Sequence, residues 1–399
     1  MIKRTEYLDR LIAWKDKQII KVVTGIRRCG KSTLLELFQK YLLSHGVTSE
    51  QIVSINFEDY SNSHLRDPKI LHSYILSQVL QDKKTYVFLD EIQNVQEFER
   101  VVNSLFLQKN IDLYMTGSNA YFLSGELATV LSGRYITIEM LPLSFAEYIQ
   151  SSKGESDIGR LFTRYLETSS FPYVSQFDGS MKEINEYLKG IYNTVILKDV
   201  VGRYRITDLM ILESLLSFLF DNIGSQLSTT KISNALASAG RKVDVRTIEK
   251  YLSAFMDSYI IYQAKRYDVK GKQFLKNFEK YYVVDIGLRS VLLGKRSLDI
   301  GHVLENIVYL ELLRRGCRVF VGKIEDKEVD FVAMDSEGIV YYQVAASVRD
   351  EKTLHRELNS LQKISDHYPK YILTLDEDPE ADFEGIKKIN VLNWLLKSK

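Results

Sequence analysis

The chain has 399 residues, 45% of them apolar and 26% charged, the balance of a globular protein of about two to four domains. Its 53 Lys and Arg against 52 Asp and Glu leave a net charge of +1, which excludes a global basic field, so any nucleic-acid contact must be local. Two cysteines, Cys29 and Cys317, exclude a disulfide framework, Met1-Ile2-Lys3-Arg4 holds no apolar signal core, and no apolar run nears the ~20 residues of a spanning helix. The expectation is a cytoplasmic protein with no membrane segment.

From residue 1 to about 150, apolar runs alternate with amphipathic stretches, the pattern of a parallel sheet covered on both faces. Strands are expected at Gln18–Thr24, Gln51–Asn56, Thr85–Asp90, Ile111–Thr116 and Tyr135–Met140. Helices are expected near Ser32–Leu43, Pro68–Leu80, Glu97–Leu107 and Ala120–Leu131. The first strand runs into Gly25-Ile26-Arg27-Arg28-Cys29-Gly30-Lys31-Ser32-Thr33, which fits the phosphate-cradling pattern G-x-x-x-x-G-K-[ST] between strand and helix. Its glycines let backbone N–H groups close around phosphate oxygens, and the helix N-terminus adds its positive end. Lys31 is placed to reach β- and γ-phosphates, and Ser32 to offer its hydroxyl to Mg²⁺. Cys29 puts a thiol in the loop as a target for modifying reagents.

The third strand ends in Leu89-Asp90-Glu91, the second half of a nucleoside-triphosphatase site. Asp90 can hold the Mg²⁺ shell and Glu91 can polarise the attacking water. Asn56, ending the second strand, either holds Glu91 in an inactive pose or makes a turn with Glu58 and Asp59. The fourth strand runs into Thr116-Gly117-Ser118-Asn119. Asn119, ahead of Ser118, is the candidate to sense the γ-phosphate or orient water; either residue also suits an N-cap of the next helix. Arg134 stands just before the fifth strand, after Gly133.

The segments GIRRCGKST, VFLDEIQ, MTGSNAYFLSGELATVLSGRY and MLPLSFAEY resemble those of a family of AAA-like ATPases in bacteria and archaea, over nearly the whole chain. The C-terminal half of that family is largely of unknown function. The resemblance implies an α/β fold with a P-loop (AAA-like) parallel sheet domain, ATP as ligand and Mg²⁺ as cofactor. It also implies a role for Arg134. In AAA+ ATPases an arginine at that topological point reaches a neighbour's γ-phosphate, so a homo-oligomer, at least transient, is expected. Without that role Arg134 is a surface arginine after a glycine C-cap.

The polar stretch Ser151–Ser156 suggests a boundary. The expected division is an ATPase domain at 1–150, a helical connector at 151–205, a winged helix at 206–295 and a PD-(D/E)XK nuclease-like domain at 296–399. Ser169-Ser170-Phe171-Pro172 stands where the family carries a glycine-glycine-x-proline step on the adenine side. With two serines, a helix stop at Pro172 is the simpler reading. Helices are expected at Ile158–Leu166, Asn185–Val200 and Asp208–Asn222. Helices Lys231–Ala239 and Val245–Tyr259, with strands Tyr259–Gln263 and Tyr281–Val284, make a winged helix that exposes Arg246, Glu249, Lys250 and Ser253. Residues 226–280 hold eleven Lys and Arg against five Asp and Glu, a local excess of six. Such a module either contacts the DNA backbone or packs between domains.

Beyond residue 300 the order is helix Val303–Arg315, strands Cys317–Gly322, Glu328–Met334 and Ile339–Ala345, helix Glu351–Ile364, strand Tyr371–Leu375 and a helix near Trp394. This resembles PD-(D/E)XK nucleases, with Glu305, Asp330 and Gln343 at the metal-site positions. The family's lysine position is Ala345, so Lys323 or Lys327 would have to substitute. Two weakened groups of four imply a vestigial nuclease site kept for binding. Three functions fit the whole. The first is a Mg²⁺-dependent ATPase coupling ATP state to DNA or nucleoprotein. The second is a slow regulatory switch binding a protein partner. The third is an ATP-gated nuclease.

Overall fold

The computed structural model describes residues 2–120, 131–152, 154–177, 180–294 and 299–397. Contacts divide the chain into two compact units, Met1–Pro142 with Asp257–Tyr259, and Leu143–Met256 with Ile260–Lys399.

The first unit is built on five parallel strands, β1 (Ile20–Thr24), β2 (Ile52–Asn56), β3 (Thr85–Asp90), β4 (Ile111–Gly117) and β5 (Tyr135–Glu139). Their order is β2-β3-β4-β1-β5. All residues of β1, β3 and β4 are buried, as strands covered on both faces require. Helix α1 (Thr5–Ala13) escaped the sequence reading because Arg4 supplies no side-chain cap. Helix α2 (Lys31–Ser44) follows the glycine loop, and α3 (Pro68–Gln78) is capped by Asp67. Helix α4 is Phe98–Phe106. The expected helix Ala120–Leu131 falls almost wholly outside the described residues. Val22, Ile55, Val87, Leu89, Leu113 and Met115 form the core.

The second unit opens with α5 (Phe145–Ser151), announced by the capping box Ser144–Glu147 but not expected above. Next come α6 (Ile158–Glu167) and α7 (Met181–Thr194). The helix expected at Asn185–Val200 thus starts earlier, where the Ser180 hydroxyl caps it, and widens into a π-helix over Val195–Val201. Helix α8 spans Leu209–Asp221, α9 Thr229–Ser238 and α10 Val245–Asp257. Arg246, Glu249, Lys250 and Ser253 of α10 are exposed.

Strands β6 (Gln226–Leu227), β7 (Ile261–Asp268) and β8 (Gln273–Val283) flank these helices. The β7–β8 hairpin is longer than expected because charged Lys265 and Arg266 interrupt the apolar run, while the pairing resumes at Arg266 after a register shift. Helices α11 (Ile286–Leu293) and α12 (Ile300–Arg314) come next. Then come β9 (Arg318–Ile324), β10 (Lys327–Met334) and β11 (Ile339–Ala345). Helix α13 (Glu351–Gln362) leads to β12 (Lys370–Thr374), β13 (Ala381–Phe383), β14 (Ile386–Asn390) and α14 (Val391–Leu396).

Strand β7 pairs in parallel with β9, so nine strands form one sheet in the order β13-β14-β12-β11-β10-β9-β7-β8-β6. The hairpin is therefore an inner part of that sheet.

Ser169 and Ser170 have a structural use. Asp285 accepts from the Ser170 N–H at 2.7 Å, the Ser170 hydroxyl at 2.6 Å and the Ser169 hydroxyl at 3.1 Å, and it caps α11 through the Leu288 N–H at 2.8 Å. A side chain at Gly287 would meet the Thr168 carbonyl oxygen at 2.1 Å. Gly287→Ala is expected to cost about 1–3 kcal/mol by overpacking, read as a lower denaturation midpoint.

Candidate nucleotide site

The parallel strands of the first unit end on one edge, and the candidate residues collect there. Gly25 has φ +141°, and a Cβ would meet the Met140 carbonyl oxygen at 2.1 Å, so only glycine fits. Gly30, at φ +104°, starts α2 with no side-chain cap. Its first amides are thus left to the loop, the usual arrangement for an anion. Ile26 and Cys29 are fully buried, Arg27 pairs with Glu58 at 3.2 Å, and Arg28 turns the loop at φ +66°. Ser32 and Thr33 open α2, half-buried. Lys31, 4% exposed, donates to the carbonyls of Gly25 at 3.0 Å and Ile26 at 3.3 Å, and stands 3.7 Å from Glu91 Oε1.

Asp90 and Glu91 are tied into one network. The Thr116 hydroxyl accepts from the Glu91 N–H at 2.8 Å and donates to Asp90 Oδ1 at 2.5 Å. Ser32 also hydrogen-bonds to the Asp90 carboxylate. Two hard oxygen ligands thus meet, the donor set that Mg²⁺ prefers. Glu91 sits at φ +53°, unusual for a residue with a Cβ, which turns its carboxylate away from the strand line. That carboxylate accepts from the Ser118 hydroxyl and the Gln93 side-chain amide.

The two acids are pushed apart electrostatically. Burial raises the Asp90 carboxyl above its ordinary value, only partly opposed by Thr116 and Ser32. Burial also works to raise Glu91, but the Lys31 ammonium and the Ser118 and Gln93 hydrogen bonds outweigh it and hold Glu91 below its ordinary value. Glu91 is thereby held in its ionised form at neutral pH, the form a candidate base needs.

Several expectations change. Asn56 donates to Asp90 Oδ2 at 2.9 Å while its own oxygen accepts the Glu58 N–H, so it serves Asp90 and the turn rather than Glu91. At the end of β4, Ser118 is the residue that reaches Glu91, and Asn119 beside it is fully buried. Cys29 is fully buried and burial raises its thiol, so it is not the exposed target expected. Native protein should resist iodoacetamide at Cys29, while urea-unfolded protein should be labelled there, as peptide mass spectrometry would register.

Arg134 lies at the opposite edge of the sheet. Its carbonyl accepts from Ile20, the first residue of β1, at 2.8 Å. A five-residue strand separates it from the glycine loop, roughly 17 Å of extended chain. Its guanidinium donates to Asn103 and lies 5.5 Å from the Phe106 ring centre.

Two residues were missed by sequence reasoning. Gln93 lay inside the VFLDEIQ segment, two residues after Glu91. Arg4, 3% exposed, donates to the Cys29 carbonyl at 3.0 Å and the Leu141 carbonyl at 2.6 Å, bracing the loop from behind. No local pattern signals contacts so far along the chain.

In the second unit, Glu305 and Asp330 come together, but around a lysine. Lys280 Nζ lies 2.8 Å from Glu305, 2.7 Å from Glu328 and 3.9 Å from Asp330. Gln343 sits beside Asp330 without meeting the lysine: its oxygen accepts the Asp330 N–H at 2.6 Å and its amide donates to Glu357 at 2.8 Å. Neither Lys323 nor Lys327 takes the cationic place.

Residues 17–149 match the family described as "AAA domain", and residues 159–299 match a "Domain of unknown function (DUF8612)". An uncharacterized protein of Haemophilus influenzae is 39% identical over 401 residues, covering 100% of this chain and 99% of that protein. Uncharacterized protein MJ1544 of Methanocaldococcus jannaschii is 29% identical over 395 residues, covering 93% of this chain and 84% of its own. Among solved structures, the Walker-type ATPase PABY2304 of Pyrococcus abyssi shares the fold at 14% identity. Its TM-score is 0.51, over 73% of this chain and 96% of that one. No helix among the described residues is long and apolar enough to cross a membrane. The chain belongs with the Haemophilus influenzae protein to a family of AAA-like P-loop ATPases whose C-terminal half is of unknown function.

Proposed function

We propose that the protein is a Mg²⁺-dependent ATP hydrolase that couples its ATP state to DNA or nucleoprotein. The observation that carries the hydrolase reading is the gathering of Lys31, Ser32, Asp90 and Glu91 at one edge of the sheet. The loop amides and Lys31 bind the β- and γ-phosphates, with ATP the expected ligand. Ser32 and Asp90 hold Mg²⁺, which when bound neutralises charge on the phosphate oxygens. Glu91 takes the proton of the attacking water, with Ser118 and Gln93 fixing the carboxylate and Asn119 beside them to orient the water.

Arg134 sits too far from its own loop to act there, which favours action on the phosphates of a second copy. Leaving Asn103 and Phe106 is the cost of that move. Arg134→Ala is expected to bind ATP as wild type does and to lose about 10³-fold or more in turnover. Full turnover by dilute, strictly monomeric wild type would contradict this.

The DNA reading rests on the strand–helix–helix–strand–strand order of 226–283 and the exposed Arg246 and Lys250 on α10, which suit a winged helix meeting a phosphate backbone. The test is ATP turnover with and without duplex DNA across a salt series. Stimulation that fades steeply with salt, and falls for Arg246→Ala with Lys250→Ala, is expected. Slow turnover indifferent to DNA would point instead to a switch that binds a protein partner.

A further inference from the structure

The carboxylates of Glu305 on α12 and of Glu328 and Asp330 on β10 converge from two elements. A cluster of that kind is ordinarily neutralised by a metal ion or by a side chain, and the two cases leave different geometries. Here Lys280, 4% exposed and projecting from β8, places its ammonium 2.8 Å from Glu305 and 2.7 Å from Glu328. Those are charge-assisted hydrogen-bond distances. Other donors crowd the same acids. The Tyr282 hydroxyl donates to the same Glu305 oxygen at 2.6 Å, and the Gln226 amide donates to Glu328. Asp330 Oδ2 accepts the Val344 N–H at 2.8 Å.

Gln343 adds no free donor to the cluster. Gln343 spends its oxygen on the Asp330 N–H and its amide on Glu357, which Arg356 also binds. Ala345, two residues on, contributes nothing polar. Among the described residues no group of three or more His, Cys, Asp or Glu side chains is arranged to hold a metal ion.

We infer that Glu305, Glu328 and Asp330 form a cation site whose resident cation is the chain's own Lys280 ammonium, so that a divalent metal enters only when that lysine is removed. The ammonium occupies the volume and satisfies the charge that a divalent ion would otherwise claim. It also ties β8 to α12 and β10, joining the hairpin that follows α10 to the last part of the sheet. A nuclease activity that depends on metal at Glu305 and Asp330 is accordingly silent in this chain, and the lysine lost at position 345 has not been restored by an equivalent catalytic group. This inference is independent of the ATP site.

The experiment titrates Mn²⁺ without nucleotide, following free Mn²⁺ by electron paramagnetic resonance and thermal unfolding of the full chain in parallel. Wild type is expected to show no Mn²⁺ binding that Asp330→Asn removes, and no Asp330-dependent rise in melting temperature. Lys280→Ala, which removes the charge and opens the space, is expected to bind one additional Mn²⁺ per chain and to melt higher as Mn²⁺ is added. Adding Asp330→Asn to it should abolish both effects. Lys280→Met fills the space with an apolar chain and should gain no site. Asp330-dependent Mn²⁺ binding or Mn²⁺-dependent DNA cleavage by wild type would overturn the inference. So would a folded Lys280→Ala that binds no additional ion. Should Lys280→Ala fail to fold even with Mn²⁺, the wild-type measurements still decide.

Discussion

Glu91→Gln is expected to bind ATP about as well as wild type and to hydrolyse it roughly 10²–10⁴-fold more slowly, the usual worth of a positioned general base. The substitution keeps the side chain's volume and leaves an oxygen for the Ser118 hydroxyl. What it removes is the charge that Lys31 and the Gln93 amide stabilise. Binding and turnover should therefore separate cleanly, with KM little changed and kcat reduced. Calorimetric ATP titration beside steady-state phosphate release measures both. A Glu91→Gln enzyme that turns over like wild type would show that water is activated elsewhere.

The second large effect is on stability. Asp112→Ala is expected to destabilise the first unit by about 3–5 kcal/mol, because it strands a charge. Lys21 is the second residue of β1 with its side chain fully covered, and Asp112 on β4 is its carboxylate partner. Lys21 also donates to the Lys17 carbonyl at 2.8 Å, and Asp112 accepts from the Tyr114 hydroxyl at 2.8 Å and the Asp16 N–H at 2.9 Å. Burial lowers the Lys21 pKa below 10.5 even against Asp112. A lysine whose folded-state pKa lies below its unfolded value costs stability while charged. The cost eases as pH rises through the lowered value, and more so once Asp112 is gone. Urea denaturation of Asp112→Ala at two pH values measures the loss and its sign. Replacing both partners, with Lys21→Met and Asp112→Leu, should recover most of it. A single-mutant cost below about 1 kcal/mol would show that the pair is not desolvated as described.

How much of this could be read from the sequence depended on distance along the chain. The glycine loop was legible because its strand, glycines, lysine and helix are consecutive. Asp90 and Glu91 were legible because four apolar residues run straight into two acids. All five strands of the first sheet were found within two residues at each end, and β1, β3 and β4, buried on both faces, make the most continuous apolar runs. Choices between neighbours were harder. Ser118 reaches Glu91, because the way β4 ends beside β3 decides which side chain faces the carboxylate. Asn56 was left between Glu91 and a turn with Glu58 and Asp59; it makes the turn and pairs with Asp90, directly opposite it in the β2–β3 register.

Contacts between distant segments were not legible at all. Arg4 meets carbonyls at Cys29 and Leu141, and Lys280 meets acids 25 to 50 residues further on. Neither stands in a local pattern. The cluster of Glu305 and Asp330 around Lys280 shows the same limit from the other side. Glu305, Asp330 and Gln343 were expected at one site; Glu305 and Asp330 both lie against Lys280, and Gln343 sits beside Asp330. Its side chain turns to Glu357 because α13 packs beside β11 and supplies an acid there. A resemblance of element order placed the residues, but only the packing decided which of them face the same point.

The most direct test of the ATP-hydrolysing site is steady-state ATP turnover by wild type and Lys31→Ala in Mg²⁺, each first shown to be folded. The arrangement of Lys31, Ser32, Asp90 and Glu91 predicts that wild type releases phosphate and that Lys31→Ala falls to background, with weakened ATP binding. Equal turnover by the two proteins would contradict it.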